Sequence, residues 1–131
     1  MVDEGGGRLT AGLTASLVFE VTPSDTASAQ GSGSLDVLAT PRLLAFLEAA
    51  TCAAVAPELE PGRTTVGVRV EVEHLAPSPV GARVVAQAVV EQVEGRRITF
   101  AVTATDAADG GELGRGRVVR AVVDPDRFPG R

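Results

Sequence analysis

The run TPRLLAFLEAATCAAVA, from Thr40 to Ala56, carries apolar residues at nearly every angle around a helix, and this constrains the rest of the chain. A helix with one side in water shows a single apolar stripe, whereas Leu43, Leu44, Phe46, Leu47, Ala50, Cys52, Ala54 and Val55 cover almost the whole circumference. Such a helix has to be enclosed by other elements. Thr40 reads as its N-cap, Pro41 as its first helical residue and Pro57 as its stop, giving about 16 residues and about 24 Å of axis.

The enclosing elements are written with a period of two. In TVGVRVEVEHL, Val66, Val68, Val70 and Val72 share one face, and Arg69, Glu71 and Glu73 the other. Val84, Ala86, Ala88 and Val90 form the inner face of a second strand, which Glu94-Gly95 turns into a third with Ile98, Phe100, Val102 and Ala104 inward. A last strand reads ELGRGRVVRAVVD, and an early one alternates Leu13, Ala15, Leu17, Phe19 and Val21 inward. Between them and the helix, TPSDTASAQGSGSLDVLA reads as a long loop with at most one helical turn, and residues 1–10 as a flexible leader. One α+β domain over residues 1–131 follows: a curved antiparallel sheet wrapped around one long central helix. The open sheet edges predict pairing with a second copy.

Composition removes several functions. The net charge is −5, all 12 basic residues are Arg, and the pI is near 4.8, a poor balance for holding a polyanionic duplex, so no nucleic-acid partner is expected. Seven of those Arg residues lie at or beyond Arg96, which leaves room for a local positive rim facing a smaller anion. No stretch reaches the roughly 18 to 20 apolar residues that span a bilayer, and MVDEGGGRLT lacks the basic-then-apolar order of a signal peptide; a cytoplasmic protein without membrane partner is expected. A single cysteine, Cys52, excludes an internal disulfide and paired-cysteine zinc sites, and reads as a small core residue.

Three residues stand out chemically. His74, the one histidine, continues the even-numbered valine face just before LAPSP breaks the strand. It is either a structural residue closing that strand or a base at a cleft. Glu48 is the one acid inside the apolar helix, and either faces solvent or needs a buried partner. If both point inward they could meet as acid and base. Thr40 is accounted for as a cap, yet the same helix start offers backbone N–H groups to a developing oxyanion.

The blocks GSGSLDVLATPRLLAFLEAA, TTVGVRVEVEHLAPSPVGARV, VEGRRITF and GRGRVVRAVVDPDRF together resemble the hot-dog fold thioesterases around fluoroacetyl-CoA thioesterase. That resemblance implies a dimeric hot-dog fold, or a dimer of dimers, that hydrolyses an acyl-CoA or acyl-carrier thioester. Thr40, Glu48 and His74 match the family's catalytic set, and Gly67 and Arg120 its residues near the acyl group. No metal or other cofactor is implied, coenzyme A entering as part of the substrate. Gly67 has the opposite parity to His74, so a bulge or a contact from a second copy is needed to bring it to the site. Two departures are visible: SDTASAQGSGSLDV lacks the aromatic lid of the fluoroacetyl-specific members, so no fluoroacetyl selectivity is expected, and Arg117-Val118 stands where many relatives have Thr-His. A non-catalytic binder of acyl thioesters or apolar small molecules, and a hot-dog dehydratase, are the alternatives.

Overall fold

The computed structural model describes residues 8–128. Five strands, β1 (Thr14–Glu20), β2 (Thr64–His74), β3 (Arg83–Glu94), β4 (Arg97–Asp106) and β5 (Glu112–Val123), form one antiparallel sheet in the order β1-β3-β4-β5-β2. Helix α2 (Thr40–Val55) packs on its inner face, preceded by the four-residue helix α1 (Ala27–Gln30) in the segment read as a loop. The long chain segments on either side of α2 carry β1 and β2 to opposite edges of the sheet.

Period-two faces come out as the sequence predicts in β3 and β4, where Val84, Ala86, Ala88, Val90, Ile98, Phe100, Val102 and Ala104 are buried. In β2 they do not. The register with β5 passes from Gly67↔Arg120 directly to Arg69↔Val119, leaving Val68 unmatched in a bulge. Parity therefore flips at Val68. Thr65 is buried, whereas Val68 is 44% exposed and Val66 lies off the inner face expected for it; Val70, Val72 and His74 keep the predicted side.

The enclosed helix also needs correction. Leu43, Phe46, Leu47, Ala50, Thr51, Ala54 and Val55 are buried, a spacing of three and four that marks one stripe against the sheet. Pro41 and Cys52 are exposed and Leu44, Ala45, Glu48 and Ala49 half-buried, so a second face is left uncovered by this chain. Cys52 is on that face, not in the core. Leu9, read as part of the leader, is buried in the core, and residues 1–7 of that leader lie outside the described residues. Among the described residues no helix is long and apolar enough to cross a membrane.

One buried acid fixes the start of α2. Asp25 accepts hydrogen bonds from the Thr22 amide and hydroxyl, both at 2.8 Å, and from Arg42 Nε at 2.8 Å, while its main-chain oxygen accepts from Ala39 N at 2.8 Å. Arg42 also lies over the Phe46 ring, 4.9 Å from its centroid, and Phe46 stacks on Phe19 at 4.3 Å. Burial pushes the Asp25 carboxyl up, but the Thr22 donors and the Arg42 guanidinium outweigh it and hold the pKa below the ordinary carboxylate value. A depressed carboxylate contributes stability above its unfolded pKa and loses it as pH falls through the folded one. Asp25→Asn is expected to cost about 2 kcal/mol at neutral pH, moderated because Arg42 faces solvent, and to make stability fall less steeply in acid; urea unfolding at both pH values reads it.

Candidate active site

Thr40 and His74 come together from distant parts of the chain. Strand β2 ends at His74 beside the first turn of α2, and Thr40 Oγ1 lies 2.8 Å from His74 Nδ1. Thr40 is therefore not the cap: the helix begins with it, Ala39 is the N-cap, and the Thr40 hydroxyl caps no backbone N–H. Across the ladder His74 pairs with Gly114. A Cβ at Gly114 would stand 3.0 Å from Leu43 Cδ2 and 3.0 Å from the Glu73 carbonyl oxygen, so the missing side chain lets the helix start settle against the strand end. Sequence reasoning missed Gly114; its signal was a glycine inside a strand pattern.

His74 is half-buried, and burial pushes its imidazole below the usual histidine value, the nearby Ala76 main chain acting against the shift. Burial therefore favours the neutral ring, the form able to take a proton. Its Nε2 is buried without a hydrogen-bond partner. An orphan of this kind forfeits about 1–3 kcal/mol and is where a polar ligand atom gains most. Thr40 and His74 line a cavity of about 430 Å³ whose other wall is the 32–38 segment, with Leu35, Val37 and Leu38.

Glu48 makes a separate cluster farther along α2. Its Oε2 accepts from Arg120 Nη1 at 3.2 Å; Arg120 in turn donates from Nε to Thr65 Oγ1 at 2.9 Å and from Nη2 to the Thr65 carbonyl at 3.1 Å. Arg120 is 7% exposed and the Glu48 side chain 37%, so the ion pair has a buried cationic end and an open anionic one. The bulge turns Gly67 toward this pair, and a Cβ there would collide with the Glu48 carboxylate. Both Gly67 and Arg120 thus adjoin Glu48. Thr65, the anchor of the guanidinium, was not foreseen.

The two clusters do not join within one chain. Eight residues separate Thr40 from Glu48, about 12 Å along the helix, and the hydrogen-bond partner of Glu48 is Arg120, not His74. The expected direct meeting of Glu48 and His74 is therefore not seen.

One long helix with a five-stranded antiparallel sheet curled onto it is the hot-dog fold, and a hot-dog-like protein from Thermanaerovibrio acidaminovorans superposes with a TM-score of 0.82 at 28% identity, over 96% of this chain and 98% of that one. Within that fold the chain belongs to the fluoroacetyl-CoA-specific thioesterase family, FlK, whose pattern matches residues 21–126; the family is one of thioester hydrolases. The fluoroacetyl-CoA thioesterase of Streptantibioticus cattleyicolor is 39% identical over 93 residues, which cover 71% of this chain and 66% of that protein, just under two thirds of its length. The solved structure of the fluoroacetyl-CoA thioesterase FlK superposes with a TM-score of 0.84 at 32% identity, covering 92% of each chain.

Proposed function

We propose that this protein hydrolyses an acyl-CoA thioester to a carboxylic acid and a free thiol, at a site completed when two copies pair. The observation that carries the reading is the Thr40–His74 hydrogen bond, which holds an imidazole with an unpartnered nitrogen at the start of a helix. His74 serves as general base and then acid, while Glu48 orients it, activates water or attacks the carbonyl. Thr40 positions the carbonyl. Pro41 has no N–H, and those of Arg42 and Leu43 are given to the Ala39 carbonyl, so the Thr40 N–H is the helix-start donor left for an oxyanion.

Pairing is supported by the uncovered apolar face of α2 and by the free edge of β2. An antiparallel second α2 on that face would bring its Glu48 toward the Thr40–His74 pair, which answers the separation found within one chain. A panel of acyl-CoA substrates assayed for thiol release, with sedimentation on the same sample, tests both parts. Thiol release from a dimer is the expected result. Binding without release would point to the non-catalytic binder, and an enoyl product to the dehydratase. Because the segment between Pro23 and Thr40 carries no aromatic residue, fluoroacetyl-CoA is expected to show no large preference over acetyl-CoA, and a strong one would overturn that part.

A further inference from the structure

We infer that Thr65 is a positioning residue: by holding the Arg120 guanidinium through its hydroxyl it aims that cation at Glu48 Oε2 and leaves Glu48 Oε1 turned to the thioester. This rests on the proposed activity, in which Glu48 does chemistry, and it gives Thr65 no contact with the substrate.

The placement begins with the strand ladder. Arg120 stands opposite Gly67, and Thr65 lies two residues away on the same strand as Gly67, opposite Val122. A diagonal pair of this kind is within reach of a long side chain. Gly67 contributes no side chain, and the Glu48 carboxylate occupies the space its Cβ would take. The bulge at Val68 lets one strand serve both clusters. An uninterrupted β2 with His74 inward would turn Val66 inward and Thr65 outward; the extra residue puts Thr65 and Gly67 on the inner side before it and His74 on that side after it.

Of the hydrogen bonds that Arg120 makes, Nε donates to Thr65 Oγ1 at 2.9 Å and Nη2 to the Thr65 carbonyl at 3.1 Å. Any residue at this position supplies the carbonyl, whereas the hydroxyl is specific to the side chain. A guanidinium is planar with its donors in a rigid fork, so fixing Nε and Nη2 also fixes the direction of Nη1. Nη1 donates to Glu48 Oε2 at 3.2 Å, and Glu48 Oε1 has no hydrogen-bond partner among the described residues. With the Glu48 side chain 37% exposed, that free oxygen is the one able to take a proton or approach a carbonyl. Thr65 and Arg120 are both buried, so the grip itself is made inside the protein. Without the hydroxyl the guanidinium is free to swing about its remaining bond to the carbonyl and to carry Glu48 with it, and a misplacement of about 1 Å is enough to cost about 10²-fold in rate.

Two substitutions set positioning against packing. Thr65→Val keeps the shape and removes the oxygen; Thr65→Ser keeps the oxygen and removes a methyl group. On the acyl-CoA that the wild type hydrolyses fastest, Thr65→Val is expected to lower kcat about 10- to 100-fold with KM changed less than about 3-fold, and Thr65→Ser to stay within about 3-fold of the wild type. A packing role alone gives the reverse order. A loss in Thr65→Ser as large as that in Thr65→Val overturns the assignment, as does an unchanged kcat in Thr65→Val or a loss confined to KM. Should the valine variant not fold, Thr65→Ala removes the same oxygen and carries the same outcomes. Crystal structures of the wild type and of Thr65→Val give a readout independent of turnover. The contact from Arg120 Nη1 to Glu48 Oε2 is expected to open beyond hydrogen-bonding distance in the variant, and its survival overturns the assignment. If the wild type releases thiol from no acyl-CoA, the hydrolase reading fails, while the same pair of structures still decides whether Thr65 holds Glu48 in place.

Discussion

His74→Ala is expected to lower kcat by about 10²- to 10⁴-fold, the range a positioned general base contributes, with the fold retained. The side chain closes a strand and does not fill its middle, and its removal deletes one hydrogen bond, to Thr40, along with one buried orphan nitrogen. Those two effects on stability oppose each other. The wild-type pH profile provides a second reading of the same residue. Burial lowers the imidazole pKa, so activity should persist below the ordinary histidine range and fall only when the ring takes up a proton. Because the same group is harder to protonate in the folded state, its contribution to stability is present above the unfolded pKa and lost as pH falls through the lowered one. Near wild-type kcat in His74→Ala, on a substrate the native protein hydrolyses, would leave the imidazole a structural residue and remove the mechanism.

Much of the architecture is legible because it is written as local periodicity. The alternations in β3 and β4 survive unchanged, and α2, Thr40 to Val55, starts one residue earlier than a threonine cap before Pro41 suggests. What local pattern cannot carry is pairing. The placement of β1 and β2 at opposite edges depends on contacts between distant residues, and the bulge at Val68 breaks an alternation that looks continuous in the valines. Gly67 was the one hint of that break: its parity was wrong for the site unless the strand slipped. The misreading of α2 as enclosed on all sides has a physical origin too. An apolar circumference records everything the helix touches, including any second copy, whereas one chain's sheet can cover only one stripe. Thr40 illustrates the same limit at a single residue. A hydroxyl at a helix start can turn to a backbone N–H or to a neighbour's ring, and the neighbour is 34 residues away.

Glu48 and Arg120 should separate chemistry from stability. Glu48→Gln keeps the side-chain volume and an oxygen that can still accept from Arg120 Nη1, so unfolding should change by less than about 1 kcal/mol at this partly open end of the pair. Turnover should nevertheless fall by at least about 10²-fold, because an amide can neither take a proton nor attack a carbonyl. Arg120→Met behaves in the opposite sense. It deletes both donors to Thr65 and strips Glu48 of its cation, at a residue whose side chain is 8% exposed, and is expected to cost about 3 kcal/mol. Steady-state kinetics and urea unfolding on both variants read the two effects side by side. If Glu48→Gln instead retains turnover while destabilising as much as Arg120→Met, the carboxylate is only the counter-ion of a buried arginine, and the catalytic carboxylate has to be sought elsewhere.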